Sequence, residues 1–509
     1  MNIKLTVILA FVLFIIASVV FLPFNFLLNF SHDDAFFYIK TADNFSRGLG
    51  SSFDSINSTN GYHPLYFLFL SFYFFLIHLF SNPTPEDLYK SIFIIDSILM
   101  GLTLIIIYRI LKFTTGNKYK FILFIPFFLM LTVIRDFGLE SHLLGLLFFF
   151  YLYAVLLENL YGKNYFYLKL FTIPLIFLTR TDYLYTIIPF VLLSDYFVYR
   201  KNNRKIYLLT SLSLLILTAL IYYSINYFSF GNISTISASI ENTFPRIVFI
   251  ENIKNLFLSK TQLFNQLPRL LFVISGLIFQ IYYWSRKIEL LTLKEKNIFM
   301  VFFIISIGSF VFLLLHMMFN SSSIREWYLT LPTLITAFQL VLIMNLKSKY
   351  FASSLIIFSL MFIIVLYFTR IQNNKFESGY IYAKNLSNYV KENENVLQID
   401  FTGIVGFFSG RKIVNGDGLI NSFEYLSYLK SGEINKYLKK YKIKYYSTFS
   451  LDSAEFRENI YFDKNFSRIT LNSTATFPLN DLIYSCDFSW DQFGYNKSGK
   501  WLLFKLNYQ

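Results

Sequence analysis

The chain has 509 residues, of which 55% are hydrophobic and only 15% charged, and its mean hydropathy is +0.50. Soluble globular proteins carry roughly 25% charged residues, so this composition excludes a soluble enzyme; with repeated apolar runs of spanning length it specifies a polytopic α-helical membrane protein. The formal net charge of +14 comes largely from Lys and Arg in short loops beside apolar runs, which marks cytoplasmic membrane flanks and argues against nucleic acid as a partner.

Taken in order, the first apolar run covers residues 4–28. It follows a signal-like MNIK start but is long and lacks a small-x-small cleavage site, so it reads as a retained helix. Residues 31–64, SHDDAFFYIKTADNFSRGLGSSFDSINSTNGYHP, are polar and glycine-punctuated, and open on adjacent acids, Asp33 and Asp34. Two neighbouring carboxylates just outside a bilayer repel each other and resist desolvation, so one is expected to have a raised pKa or the pair to hold a cation. Further apolar runs follow at 88–111, 121–134, 142–157, 168–178, 183–199, 206–228, 270–284, 298–319, 328–346 and 350–368. Asp96 falls inside one of them and, if buried there, requires a partner that the sequence does not name.

Topology parity decides the run at 64–80. If it lies along the outer face as a juxtamembrane helix, the Lys/Arg-rich connections around Arg109, Lys163, Arg200, Arg286 and Lys347 all fall inside. The loops carrying Asp33-Asp34, Arg135 to Glu140, Arg180-Thr181-Asp182 and Arg325-Glu326-Trp327, and the long segment 229–268, then fall outside. This gives about eleven spans, a cytoplasmic N-terminus and an extracytoplasmic C-terminus. From residue 369 the composition turns polar and mixed. Short strands at 395–400, 412–415 and 443–447, a helix at 402–408 and an amphipathic helix at 426–441 predict a small α/β domain. The expected organisation is thus a transmembrane domain, 1–368, with a first outer loop at 29–87, and an extracytoplasmic α/β domain, 369–509. The single cysteine, Cys486, excludes an intramolecular disulfide framework.

The stretch DDAFFYIKTADNFSRGLG…TNGYHPLY resembles the first extracytoplasmic loop of GT-C-type integral-membrane glycosyltransferases. It looks most like the branch related to protein O-mannosyltransferases and the aminoarabinose and arabinofuranosyl transferases. GLESHLL (138–144) is similar to that branch's Gly-hydrophobic-Glu motif, LTRTD (178–182) to its Arg-Pro-Asp/Glu element, and REWYL (325–329) and GRKIVNGDGLINS (410–422) continue the likeness. Thr181 stands where such proteins commonly have proline, segment 230–237 lacks their proline and downstream lysine, and His63 stands where some have lysine.

The resemblance implies inverting transfer of a sugar from a polyprenyl-phosphate donor to an acceptor hydroxyl of a glycan, lipid or protein, at the outer face of a cell membrane. Such chemistry needs a general base for the acceptor and positive charge or hydrogen-bond donors for the departing phosphate. Asp33 corresponds to the catalytic acid position and is the expected base. Asp34 would orient it, bind the acceptor or, with Asp33, hold a divalent cation as in the oligosaccharyltransferase branch; no other cofactor is expected. His63 and Arg325 are candidates for the phosphate, although His63 also suits a packed helix start and Arg325 an interfacial anchor beside Trp327 and Tyr328. Glu140 is either a helix-start acid or a site residue, and Arg180 and Asp182 are candidates for binding substrate or phosphate that are also spaced to pair structurally. Two other readings compete. One is a transporter or flippase for lipid-linked saccharides, which would carry midplane charges and repeat symmetry; the other is a polysaccharide polymerase or ligase.

Overall fold

The computed structural model describes residues 13, 16, 19–115, 136–161, 165–198, 204–259, 262–263, 266–287, 289, 293–343, 375–451, 456–457, 459–470, 476–492 and 495–507. The expected runs at 121–134 and 350–368, most of that at 4–28, and the domain boundary at 368/369 lie outside these residues.

The N-terminal part is helical. Besides a single turn at Phe24–Leu27, its helices among the described residues are α1 (Asp33–Ser46), α2 (Pro64–Phe80), α3 (Pro85–Thr115), α4 (Ser141–Tyr161), α5 (Phe166–Thr179), α6 (Ile187–Val198), α7 (Arg204–Phe230), α8 (Ile236–Glu241), α9 (Phe249–Leu258), α10 (Leu267–Lys287), α11 (Leu293–Phe319) and α12 (Thr330–Ile343). Among the described residues five segments are long and apolar enough to cross a membrane: Pro85–Lys112, Ser141–Glu158, Lys205–Phe230, Leu267–Arg286 and Lys296–Phe319. Pro64–Phe80, Phe166–Thr179 and Ile187–Phe197 are shorter apolar helices. On α7 and α10, Leu209, Ile216, Leu220, Leu271 and Ile278 are exposed, a lipid-facing arrangement.

Two expected runs start differently from the sequence reading. Residues 183–199 are split into a 3-10 turn, Thr181–Tyr185, and α6, because Pro189 has no N–H to donate to the carbonyl of Tyr185. Pro332 does the same between the 3-10 turn Glu326–Leu329 and α12.

The C-terminal domain opens with α13 (Lys375–Leu386), followed by β1 (Asn395–Gln398), α14 (Thr402–Phe408), β2 (Lys412–Asn415), α15 (Phe423–Ser431), α16 (Ile434–Lys440) and β3 (Ile443–Ser450). The amphipathic stretch expected as one helix at 426–441 is two, because Gly432 adopts a left-handed conformation (φ 72°) and ends α15. A long hairpin, β7 (Leu482–Gln492) and β8 (Tyr495–Lys505), completes a five-stranded sheet in the order β2-β1-β3-β8-β7, parallel across β2, β1 and β3 and antiparallel beyond. Three short strands, β4 (Phe456–Arg457), β5 (Ile460–Phe462) and β6 (Thr476–Pro478), form a second sheet.

The two parts meet through α1 and α14. Phe36 of α1 packs on Phe407, Phe408 and Tyr89, with ring centroids 5.9, 5.5 and 5.2 Å away. Asn25 bonds Glu377 at 2.8 Å, and Tyr380 and Lys384 of α13 both reach Glu86 at the start of α3. Three glycines allow the approach. A Cβ on Gly403 would lie 2.2 Å from the carbonyl oxygen of Asp33, one on Gly61 2.1 Å from that of Leu419, and one on Gly406 2.4 Å from the Phe53 ring.

Gly403→Ala is therefore expected to destabilise the interface by about 1–3 kcal/mol. Its melting temperature in detergent should fall, whereas Gly145→Ala, with nothing within 4 Å of the added carbon, should melt no lower than wild type. Equal melting of wild type and Gly403→Ala contradicts the seam.

Candidate functional site

Successive residues of a helix point about 100° apart, and that rotation parts the adjacent acids. Asp33 faces the C-terminal domain, where its Oδ2 accepts the N–H of Gly403 at 3.0 Å and its Oδ1 that of Ile404 at 2.9 Å. These are first-turn amides of α14 that lack intrahelical partners. The residue before that helix, Phe401, is left-handed (φ 48°) and has no side-chain oxygen, so a carboxylate far away in the chain supplies the cap. Both oxygens of Asp33, the expected base, thus accept backbone donors.

Asp34 lines a cavity of about 90 Å³ with Tyr38, His63, Glu140, Glu241 and Tyr328, and the C-terminal domain contributes Leu419 to its wall. No donor among the described residues reaches the Asp34 carboxylate within hydrogen-bond distance. Burial pushes its pKa up to about 6; Arg325 opposes the shift, and Glu241 and Glu140 add to it. Arg325 approaches Glu241 Oε1 at 3.7 Å and lies over the Trp327 ring at 6.0 Å, and its buried Nε has no hydrogen-bond partner among the described residues. Glu241 Oε2 accepts from the Tyr328 hydroxyl at 3.4 Å and from Asn320 Nδ2 at 3.3 Å.

A buried ionic group stands behind the lining residues Glu140 and His63. Arg180 donates to Asp182 through Nε and Nη2, each at 3.1 Å, and to Glu140 through Nη1 at 3.0 Å, with its guanidinium 4.4 Å from the Tyr328 ring centre. Burial alone would raise the Asp182 pKa, but Arg180 and His316 hold it far below the usual carboxylate range. The Nε2 of His316 is 3.3 Å from Asp182 and its Nδ1 is 3.0 Å from the Phe312 carbonyl, so both ring nitrogens face acceptors. His63 Nδ1 accepts the Thr181 N–H at 3.4 Å, which leaves Nε2 to carry the proton, 3.9 Å from Glu140. Burial lowers the His63 pKa, against the pull of Glu140.

Asp34, His63, Glu140, Arg180, Asp182 and Arg325, singled out from sequence, thus meet at one end of the helical part. They sit where α4, α6 and α12 begin and where α5 and α11 finish. Arg180 and Asp182 pair, as their spacing led one to expect. Asp96 finds its partners in the Gly138 N–H at 2.8 Å, the Tyr66 hydroxyl at 3.4 Å and His142 at 3.5 Å. Arg135 lies outside the described residues, and Asp136 bonds Thr330 Oγ1 at 2.6 Å. Sequence reasoning missed Glu241, although it is the one carboxylate in the polar stretch between Ser229 and Ile250. A divalent cation shared by Asp33 and Asp34 does not fit this geometry. Asp33 is taken up by α14, and among the described residues no group of three or more His, Cys, Asp or Glu side chains is placed to hold a metal ion.

No family model matches the chain, and no curated protein matches it closely enough to count as a relative.

With a folded-state pKa of about 6 against an ordinary 3.8, Asp34 holds its proton in the folded protein at a pH where the unfolded chain has lost it. The stability this contributes is fully present below the ordinary value and is lost as pH rises through 6. Asp34→Asn should therefore melt close to wild type at pH 3.5 and about 2 °C or more above it at pH 7.5. A difference in melting temperature that is the same at both pH values contradicts the assignment.

Proposed function

We propose that this protein is an integral-membrane glycosyltransferase that moves a sugar, with inversion, from a polyprenyl-phosphate donor to an acceptor hydroxyl at the outer face of the membrane. The observation that carries the reading is a cavity lined by an unbonded carboxylate, Asp34, next to a guanidinium, Arg325, that contacts the lining residue Glu241 and acts electrostatically on Asp34, and whose buried Nε has no hydrogen-bond partner among the described residues. Asp34 removes the acceptor proton as the acceptor oxygen attacks the anomeric carbon. The bond from that carbon to the phosphate oxygen breaks on the opposite side, its electron pair stays on the phosphate, and the anomeric configuration inverts. Arg325 holds the phosphate oxygens by its fixed fork of donors, and the His63 Nε2–H is a second donor to them. Glu140, Arg180 and Asp182 act as positioning residues that set His63 and Tyr328. Thr181 supplies the N–H that fixes the His63 ring, a donor that the proline expected from the resemblance would lack.

Three features support a lipid-borne donor and the topology with about eleven spans. The cavity lies where alternate helix ends converge, next to the C-terminal domain. The opposite ends of α4, α5 and α6 carry a separate ion cluster, Lys169 with Glu158 and Asp195, near the basic connections expected inside. Beside the cavity, α9 is latched by Asn252 Nδ2 to the carbonyls of Met317 and Asn320 at 3.0 and 2.8 Å, and it exposes Ile250, Phe257 and Leu258. An amphipathic helix so placed suits the membrane interface. The resemblance to GT-C-type enzymes rests on the same residues.

Isolated membranes assayed with a panel of polyprenyl-phosphate sugars, with products identified by mass spectrometry, test the reading. Asp34→Asn should lower kcat by ~100-fold or more, and the wild-type rate should climb as pH passes about 6, where Asp34 ionises. Asp33→Asn should leave the pH profile in place. Transfer by Asp34→Asn at the wild-type rate, or movement of lipid-linked sugar across vesicles with no transfer, overturns it.

A further inference from the structure

The C-terminal domain carries a second concavity. β1 and β3 are parallel neighbours with Asn395 opposite Ile443, so the segments leading into them meet at the same edge of the sheet. One brings Lys391, Asn393, Glu394 and Asn395; the other brings Lys440, Tyr441, Lys442 and Lys444. Together with Ile56 they line a groove of about 510 Å³. Lys440 is paired with Glu424, and Lys444 with Glu394 at 3.0 Å. Lys391 and Lys442 have no carboxylate partner among the described residues. The groove therefore has four ammonium groups and one carboxylate in its wall. Beside them the Oδ1 of Asn395 is buried without a hydrogen-bond donor, while its Nδ2 is fixed by the Tyr441 carbonyl at 2.8 Å. Lys442 is held in the left-handed region (φ 50°), a strained conformation for a residue with a side chain.

A ligand that satisfies this wall needs anionic groups for the lysines, and the Asn393 amide and the Tyr441 ring beside them suit the hydroxyls and faces of sugars. We infer that the groove binds an anionic glycan chain and holds the acceptor polymer while its end reaches the cavity. This rests on the transferase reading for the word acceptor, and on the groove alone for the anionic glycan. The other end of β1 leads through Phe401 into α14, the helix seated on Asp33. β1 is four residues long, on the order of 13 Å, a span that a few linked sugars cover and a single sugar does not.

The test uses the full chain in nanodiscs of zwitterionic phosphatidylcholine, with galacturonic acid oligomers as the probe and neutral maltooligosaccharides for comparison. The uronate oligomers should bind, more weakly as salt rises, and the neutral ones should not. Lys391→Gln combined with Lys442→Asn, whose new residue tolerates the left-handed backbone, should weaken uronate binding by about tenfold at unchanged melting temperature. No binding at low salt, equal binding of neutral oligomers, or unchanged binding by the double variant overturns the proposal. If the uronate oligomers bind as expected while no polyprenyl-phosphate sugar is ever transferred, the transferase reading falls and the anionic-glycan groove stands.

Discussion

One carboxylate, Asp33, closes the first turn of a helix in another domain, and the cavity beside it inherits its shape from that contact. Hydrogen bonds from backbone N–H groups to an ionised acid are stronger than neutral ones, and here two of them join α1 to α14 across the seam. The seam is otherwise aromatic, with Phe36 against Phe407, Phe408 and Tyr89. Ring contacts leave the sliding register loose; a carboxylate centred on two amides does not. Because Asp34 follows Asp33 in the same helical turn, fixing one fixes the direction of the other. Leu419 reaches the cavity wall from the same domain.

The charges around the cavity explain why Asp34 differs from its neighbours. Glu140 and Asp182 share the guanidinium of Arg180, and Glu241 has Tyr328, Asn320 and a long contact to Arg325. Among the described residues Asp34 has the field of Arg325 and no bonded partner, and it sits near two other acids. A buried carboxylate without bonded partners is held near neutrality and is available to exchange a proton. Removing one member of the Arg180 group would strand a buried charge, which suits a scaffold better than a reacting centre.

Much of this was legible in the residues, and the failures have physical causes. The helix at Thr402–Phe408 and the strands at 395, 412 and 443 follow from apolar runs bounded by turn residues. The alternation of Tyr484, Cys486, Phe488 and Trp490 with polar residues carries the period-2 signal of β7, yet the strand was not expected, because short-range pattern gave no partner for it. Adjacent acids look alike in a sequence. Which of them turns inward depends on the azimuth of α1, and that is set by Gly403 and Phe401, hundreds of residues downstream. Asp96 was recognisable as needing a partner, but Gly138 and His142 reach it only through tertiary packing. Glu241 lies just past the segment 230–237 and reaches the cavity only through tertiary packing against Asn320 and Tyr328.

The division between the two acids is open to direct observation by hydrogen–deuterium exchange across residues 402–408, comparing wild type, Asp33→Asn and Asp34→Asn under native conditions. The amides of Gly403 and Ile404 should be protected in wild type and in Asp34→Asn, and should exchange markedly faster in Asp33→Asn. Equal protection in all three proteins, or loss of protection in Asp34→Asn alone, would contradict the account of how this cavity is built.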